Sequence, residues 1–265
     1  MTSNIRVGTL YWALTGIFAA LHLVLTMIPL FVLTGGQGFI SMGLVSSVVI
    51  GFVLGPIYGA LSVLIGSGLG VLIFNIGGIL GPFIPVVSPV VGAFVAGCLK
   101  TKQKGLVFSI YVIGIMGYLI SPIGFILPIY IWMHTIAMIL ILLFFNPKTA
   151  SWIYTKLRFE KSNPETSLAP LWLISFIALM GDNLIGATLG AYWFIYAIGL
   201  APTELAGFFV GAILVYPFER IAVTLVVTAV LMTLGRAFSG TQLNFLLEET
   251  PKSLRLEPLH LDEAS

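Results

Sequence analysis

The sequence contains few charged residues and only one cysteine. Charged residues make up 8% of the 265-residue chain, whereas a soluble globular protein carries about 25% because its surface faces water. This composition excludes a water-soluble globular domain. Cys98 is the only cysteine, so no disulfide can form within the chain. A zinc or iron–sulfur site that needs several cysteines is excluded for the same reason.

Signatures of nucleic-acid binding and of catalysis are also missing. The formal net charge is only +2, and there is no basic helix with interleaved aromatic residues, so we expect no nucleic-acid partner. The sequence has no H-E-x-x-H, G-x-S-x-G, Walker or paired acidic transferase motif. We therefore expect a binding protein that is not an enzyme, has no cofactor and cannot hydrolyse ATP itself.

Long apolar runs dominate the sequence instead. Hydrophobic residues make up 58% of the chain and the mean hydropathy is +1.09. Many runs approach the ~20 residues that a helix needs to cross the ~30 Å hydrocarbon core, and no ten-residue alternation typical of a membrane β-barrel is present. The prediction is an all-α polytopic transmembrane helix bundle of about eight spans. The spans are near 9–33, 37–54, 57–74, 86–99, 105–121, 123–146, 168–199 and 206–236.

The positions of lysine and arginine predict the orientation, because these residues are retained on the cytoplasmic side. With eight spans, eleven of the twelve basic residues fall in segments on one side, and only Arg220 lies within a span. The prediction is a multi-pass protein of the cell (plasma) membrane, in contact with lipid, with both ends in the cytoplasm. Residues 1–238 form the bundle, and the polar residues 239–265 form a flexible cytoplasmic tail.

Small residues recur at helical spacing. In lipid, small residues let helix backbones approach closely, so we interpret most of the glycines spaced by four as internal packing positions. These sets are Gly51, Gly55 and Gly59; Gly66 and Gly70; Gly186 and Gly190; Gly207 and Gly211. On the first helix, Ala13, Gly16 and Ala20 share a face that is suited to contact another helix.

Ionisable residues within spans are rare and costly, at least ~2.5–3.5 kcal/mol each on insertion scales. Asp182 and the adjacent Asn183 lie in the middle of a span. Asp182 shares a helical face with Gly186 and Gly190, so this face is expected to point into the bundle.

Glu219 and Arg220 follow Pro217 in the last span. Proline favours the first position of a helix, which predicts a short outer segment followed by a new helix. Both side chains would then lie at a helix N-terminus, where anions are attracted. An ion pair between Asp182 and Arg220 that ties two helices together is the alternative, and it is compatible with a cavity.

His22 and His134 lie near the middle of the first and sixth spans, at similar depth. A haem held between two histidines needs such a placement. Ordinary hydrogen-bonded residues inside a bundle account for the same pattern.

Four segments resemble the substrate-binding S components of energy-coupling factor (ECF) vitamin transporters. They are residues 19–29, which begin Ala-Ala-Leu and end Ile-Pro, 51–60 (Gly-Phe-Val-Leu-Gly-Pro-Ile-Tyr-Gly-Ala), 181–186 (Gly-Asp-Asn-Leu-Ile-Gly) and 216–220 (Tyr-Pro-Phe-Glu-Arg). The first two are similar to the opening helices of that family and the last two to its final helices. The resemblance covers about half of the chain, and it depends on the order and spacing of the segments.

The resemblance implies a subunit that binds a small molecule from outside. Its partners would be a transmembrane coupling subunit, which meets Ala13, Gly16 and Ala20, and two cytoplasmic ATPases. The implied cavity lies in the outer half of the bundle. The expected substrate-binding residues are Gln37, Asn75, Asp182, Asn183, Glu219 and Arg220. Because that family has about six helices, the spans in 105–146 would be an inserted pair.

Two other functions are compatible with the sequence. His22 and His134 would serve a haem-bearing or structural subunit of a membrane redox complex. Asp182 would serve proton coupling in a stand-alone secondary carrier.

Overall fold

The computed structural model describes residues 2–32, 39–157, 159, 168–239, 241 and 246–247. The described residues are mainly helical. The helices are α1 (Thr2–Thr26), α2 (Gly43–Leu54), α3 (Pro56–Phe74), α4 (Ile84–Lys100), α5 (Lys104–Leu119), α6 (Pro122–Ile126), α7 (Trp132–Ile141), α8 (Pro147–Lys156), α9 (Leu168–Tyr192) and α10 (Pro202–Phe238). Short 3₁₀ turns at Gly78–Leu80, Pro128–Ile131 and Leu142–Phe144 and a π turn at Trp193–Ala197 join or extend them. Strands β1 (Pro29–Val32) and β2 (Phe39–Ser41) pair antiparallel.

Several of these helices are suited to cross a membrane. In the described ranges, four are long and apolar enough: Gly8–Thr26, Pro56–Phe74, Leu168–Ala197 and Pro202–Phe238. The bent pair Pro128–Phe144 and Pro147–Lys156, with 93° between its members, makes five if it counts as one span. The apolar helices α2, α4 and α5 are shorter. The prediction of a helical bundle with membrane-spanning helices is confirmed at this level.

The first two spans differ from their predicted bounds. The first was predicted to extend to residue 33, but α1 ends at Thr26 and is followed by β1. The second was predicted to begin at 37, but α2 begins at Gly43, after β2. Pro29 is the first residue of β1, and proline disfavours a helix interior because it has no N–H to donate. A hairpin therefore links α1 to α2 at one end of the bundle.

The sixth predicted span, 123–146, is not one helix. It consists of α6, a 3₁₀ turn, α7 and a second 3₁₀ turn. Pro122 and Pro128 each begin one of these pieces, because proline is tolerated in the first turn but disrupts a helix interior.

The predicted break at Pro217 is wrong. Helix α10 runs without interruption from Pro202 to Phe238. Membrane helices tolerate an internal proline. The hydroxyl of the adjacent Tyr216 donates a 2.9 Å hydrogen bond to the carbonyl of Tyr130 and so ties α10 to the turn before α7. Glu219 and Arg220 therefore both lie inside a helix. The prediction of an anion site at a helix start here is wrong.

Helix α9 forms the centre of the bundle and α1 its edge. The spanning part of α9 is 72% buried and that of α1 only 22% buried. Helix α9 packs against α4, α10, α5 and α7, whereas α1 packs mainly against α3 and α2. The polar residues of α9 are therefore positioned inside the protein.

Glycines provide several close contacts between helices, as predicted, but Gly207 does not, because it is exposed and an added Cβ would meet no atom within 4 Å. A Cβ on Gly51 would lie 2.0 Å from the carbonyl oxygen of Ala93, and one on Gly66 would lie 2.6 Å from that of Ala19. Gly55 is an exception, because its φ of 81° ends α2 and separates it from α3. Residue types with a side chain cannot occupy these positions without moving a backbone.

Part of the predicted flexible tail packs against the bundle. Leu246 is buried, and its carbonyl accepts a hydrogen bond from the amine of Lys100. The same amine donates to the carbonyl of Val53, at 3.2 Å. Residues 248–265 lie outside the described residues.

Candidate functional site

A cavity of about 550 Å³ lies at one end of the bundle. Its wall includes residues from the ends of α1, α3 and α9 and from the starts of α2, α4 and α10, for example Thr26, Gly43 and Ile84. The short connection from α4 to α5, which contains Lys102, lies at the other end. The cavity is therefore opposite the lysine-rich end.

Asp182 and Arg220 both line this cavity. Each side chain is only 6% exposed. Asp182 Oδ2 and Arg220 Nε have no hydrogen-bond partner among the described residues, and no ion pair joins the two side chains. The direct ion pair considered from the sequence is thus not formed, and two opposite charges face one cavity, each with one polar atom that has no hydrogen-bond partner among the described residues.

Small residues make room for Asp182. A Cβ on Gly92 of α4 would lie 3.0 Å from the Cβ of Asp182 and 3.3 Å from its Oδ2. Gly186 and Gly190, on the same face of α9, also line the cavity. The prediction that this face of α9 points into the bundle is confirmed.

Asn183 is held by a histidine from the segment expected to be an insertion. Nε2 of His134 and Oδ1 of Asn183 are 2.9 Å apart, and because the amide oxygen can only accept, Nε2 donates. The His134 ring stacks on Tyr216 at 6.0 Å between centroids. Tyr130 lines the cavity directly. Residues 105–146 therefore support one wall of the cavity.

His22 joins three helices through two serines. Its Nδ1 lies 2.7 Å from Ser46 Oγ and its Nε2 lies 2.9 Å from Ser67 Oγ. Because Ser46 Oγ donates to the carbonyl of Gly43, it accepts from Nδ1–H, and Nε2 accepts from Ser67. One ring proton is enough for both bonds. Because each nitrogen is hydrogen-bonded to a serine, neither is free to bind a haem iron. Among the described residues, no group of three or more His, Cys, Asp or Glu side chains could hold a metal ion.

Of the remaining residues predicted to bind substrate, Glu219 lines the cavity and Asn75 does not. Glu219 is partly exposed and lines the cavity. Asn75 is exposed just after α3, with a left-handed φ of 49°, and its neighbour Ile76 rather than Asn75 itself lines the wall. Gln37 lies outside the described residues.

Sequence reasoning missed other lining residues. Glu204 lies in the first turn of α10 and lines the cavity, as do Tyr130 and Phe209. Proline favours a helix start, so Pro202 could have indicated from the sequence that Glu204 lies in the first turn of this helix. Tyr130 and Phe209 lie on different segments of the chain, and no local pattern connects them.

The predicted partner face of α1 is exposed. Ala13, Gly16 and Ala20 all lie on the outside of the bundle, and a Cβ on Gly16 would meet no atom within 4 Å. Ile17 on the same side is 63% exposed. This face is open to lipid or to another helix.

The chain matches no protein-family model, no curated protein and no solved structure. The resemblance to ECF S components therefore depends on the sequence segments and remains a prediction.

Proposed function

We propose that this protein is the substrate-binding membrane subunit of an ATP-driven, ECF-type uptake transporter for a vitamin or similar small molecule. The observation that carries the proposal is the cavity of about 550 Å³ with Asp182 and Arg220 on its wall. Small-molecule sites typically occupy ~300–1,000 Å³ and combine apolar walls with a few polar groups. Charged side chains at membrane depth are costly and usually serve a function.

The proposed topology has eight crossings, formed by α1 to α5, α7, α9 and α10, with both ends in the cytoplasm. The shorter helices cross with the help of the turns next to them. The short connections place Lys102 and Lys148 at the end opposite the cavity, which is the cytoplasmic end by the positive-inside rule. The cavity then faces outward.

Reporter fusions test this topology. We expect fusions after Lys104, Lys161 and Ser265 all to report a cytoplasmic location, because lysine and arginine cluster at these positions. In an Asn75→Cys variant, a membrane-impermeant maleimide added outside is expected to react. The only native cysteine, Cys98, is buried and gives little background. An external signal at Lys161 or Ser265 would contradict eight spans.

The proposed partners are a transmembrane coupling subunit and two cytoplasmic ATPases, since the chain has no Walker motif. The exposed small residues of α1 support a helix contact at Gly16. The opposite side of α1 already packs within the protein, where Ala19 meets Gly66. One side of α1 thus serves the bundle and the other is available for a partner.

Gly16→Leu tests this partner contact and the proposed function with it. We expect the variant to stay folded and to bind ligand but to lose co-purification of the coupling subunit, because a large side chain blocks close helix approach. Ala20→Leu is expected to behave alike. The matched control is Gly68→Leu on α3, where an added Cβ also meets no atom within 4 Å. Unchanged co-purification of the partner with Gly16→Leu would mean that another surface is used.

A second candidate, the stand-alone secondary carrier, is favoured by the buried carboxylate of Asp182 on the cavity wall, whose Oδ2 has no hydrogen-bond partner among the described residues. A buried acid that lines a cavity is suited to proton coupling. Uptake by the purified chain alone in liposomes, with no ATPase present, would support the carrier over the transporter subunit.

A further inference from the structure

We infer that the cavity binds a small amine that also carries an anionic group, with its cation on Asp182 and its anion on Arg220. This inference rests on the proposed function, because it names the chemical class of the substrate. A zwitterion, or a cation with an attached carboxylate or phosphate, belongs to this class.

The first support is that one atom of each charged group, Asp182 Oδ2 and Arg220 Nε, has no hydrogen-bond partner among the described residues. Asp182 Oδ2 can only accept a hydrogen bond when ionised, and Arg220 Nε can only donate one. Both side chains are more than nine-tenths buried and both line the same cavity. A ligand that satisfies both must present an N–H donor to the first and an anionic oxygen to the second.

The second support is that the two charges do not neutralise each other by contact. They lie on the packed helices α9 and α10, and no ion pair joins them. The cavity wall therefore carries one charge of each sign on two helices, which a ligand with the opposite arrangement of charges complements.

The third support is the balance of charge on the described wall. The carboxylates of Asp182, Glu204 and Glu219 line the cavity with a single guanidinium, that of Arg220. Glu204 is exposed, where it attracts cations. A ligand with only an anionic group would be repelled, so the cationic group is required.

The fourth support is the aromatic part of the wall. Tyr130 and Phe209 both line the cavity and contact each other at 4.7 Å between ring centroids. Such rings pack against an apolar or aromatic body and attract a cation over their faces. The ligand is therefore a charged molecule with an apolar or ring-containing body.

Two sets of small-molecule probes test this inference on the full-length protein purified in detergent. The first shares an indole ring: tryptophan carries both charges, tryptamine only the amine and indole-3-propionate only the carboxylate. The second contrasts thiamine monophosphate and pyridoxamine 5′-phosphate with the anions biotin and pantothenate. Thermal shift and calorimetric titration measure binding, and mass spectrometry identifies any small molecule released on denaturation from protein purified from its own host.

We expect the tightest ligand, whether probe or released molecule, to carry both charges. Asp182→Asn and Arg220→Gln should each weaken its binding by about 30-fold or more, since each leaves one ligand charge without its partner. Size-exclusion profiles of the two variants check that they are folded.

The two hypotheses fail in different ways. A tightest ligand that is neutral or singly charged, or whose affinity is unchanged in folded Asp182→Asn, overturns the inference and leaves the proposed function intact. If no probe binds and no small molecule is released, the proposed function fails as well.

Discussion

Gly51→Ala is expected to abolish the folded protein or to lower its thermal stability severely. The new Cβ would lie 2.0 Å from the carbonyl oxygen of Ala93 and 2.5 Å from its carbonyl carbon. Both atoms belong to the backbone, so relief requires α2 and α4 to separate. Overpacking a core costs about 1–3 kcal/mol where side chains can adjust, and here we expect more than about 3 kcal/mol. Size-exclusion chromatography and thermal unfolding in detergent measure the effect.

The matched controls are Gly16→Ala and Gly68→Ala. A Cβ at either position meets no atom within 4 Å, and alanine favours a helix over glycine by up to ~1 kcal/mol. Both variants should be as stable as the parent protein or slightly more stable. A Gly51→Ala protein with unchanged thermal stability would show that α2 and α4 are not in backbone contact.

Arg220→Met is expected to destabilise the protein by about 1–3 kcal/mol, because the buried carboxylate of Asp182 loses the opposite charge on the same cavity wall. This is less than the ~3–5 kcal/mol for a broken buried ion pair, since the two side chains form no direct ion pair. Asp182→Asn should likewise destabilise it by leaving the guanidinium uncompensated. The double variant should cost less than the sum, with a coupling energy of about 0.5–3 kcal/mol. Unfolding measurements on the four proteins of this double-mutant cycle provide the comparison.

Glu219→Gln is the control for this cycle. Glu219 is adjacent to Arg220 in sequence but only partly buried, so we expect its loss to cost no more than about 1 kcal/mol. Strictly additive effects of the Asp182 and Arg220 substitutions would show that the two charges do not act on each other.

The sequence alone was sufficient for the properties set by composition and local spacing. Apolar runs of about 20 residues predict membrane helices because a helix of that length crosses the hydrocarbon core. A helix also satisfies its own backbone hydrogen bonds in lipid. Asp182, Gly186 and Gly190 share one face because four residues make about one turn. A carboxylate on that face avoids lipid. The inward direction of the face therefore followed from residues within one helix.

A local rule failed at Pro217. Proline there predicted a helix start, yet α10 continues through it. Proline occurs both at helix starts and inside membrane helices, so the residues of this one segment do not decide between the two.

Only the tertiary structure decided which polar groups meet. His22 bonds Ser46 and Ser67 from two other helices, whereas Asp182 and Arg220, expected from their charges to pair, form no direct ion pair. Such contacts depend on the rotation and depth of each helix. Rotation and depth are set by close approaches between backbones, such as the one at Gly51, and the sum of these packing contacts cannot be read from the residues of any one segment.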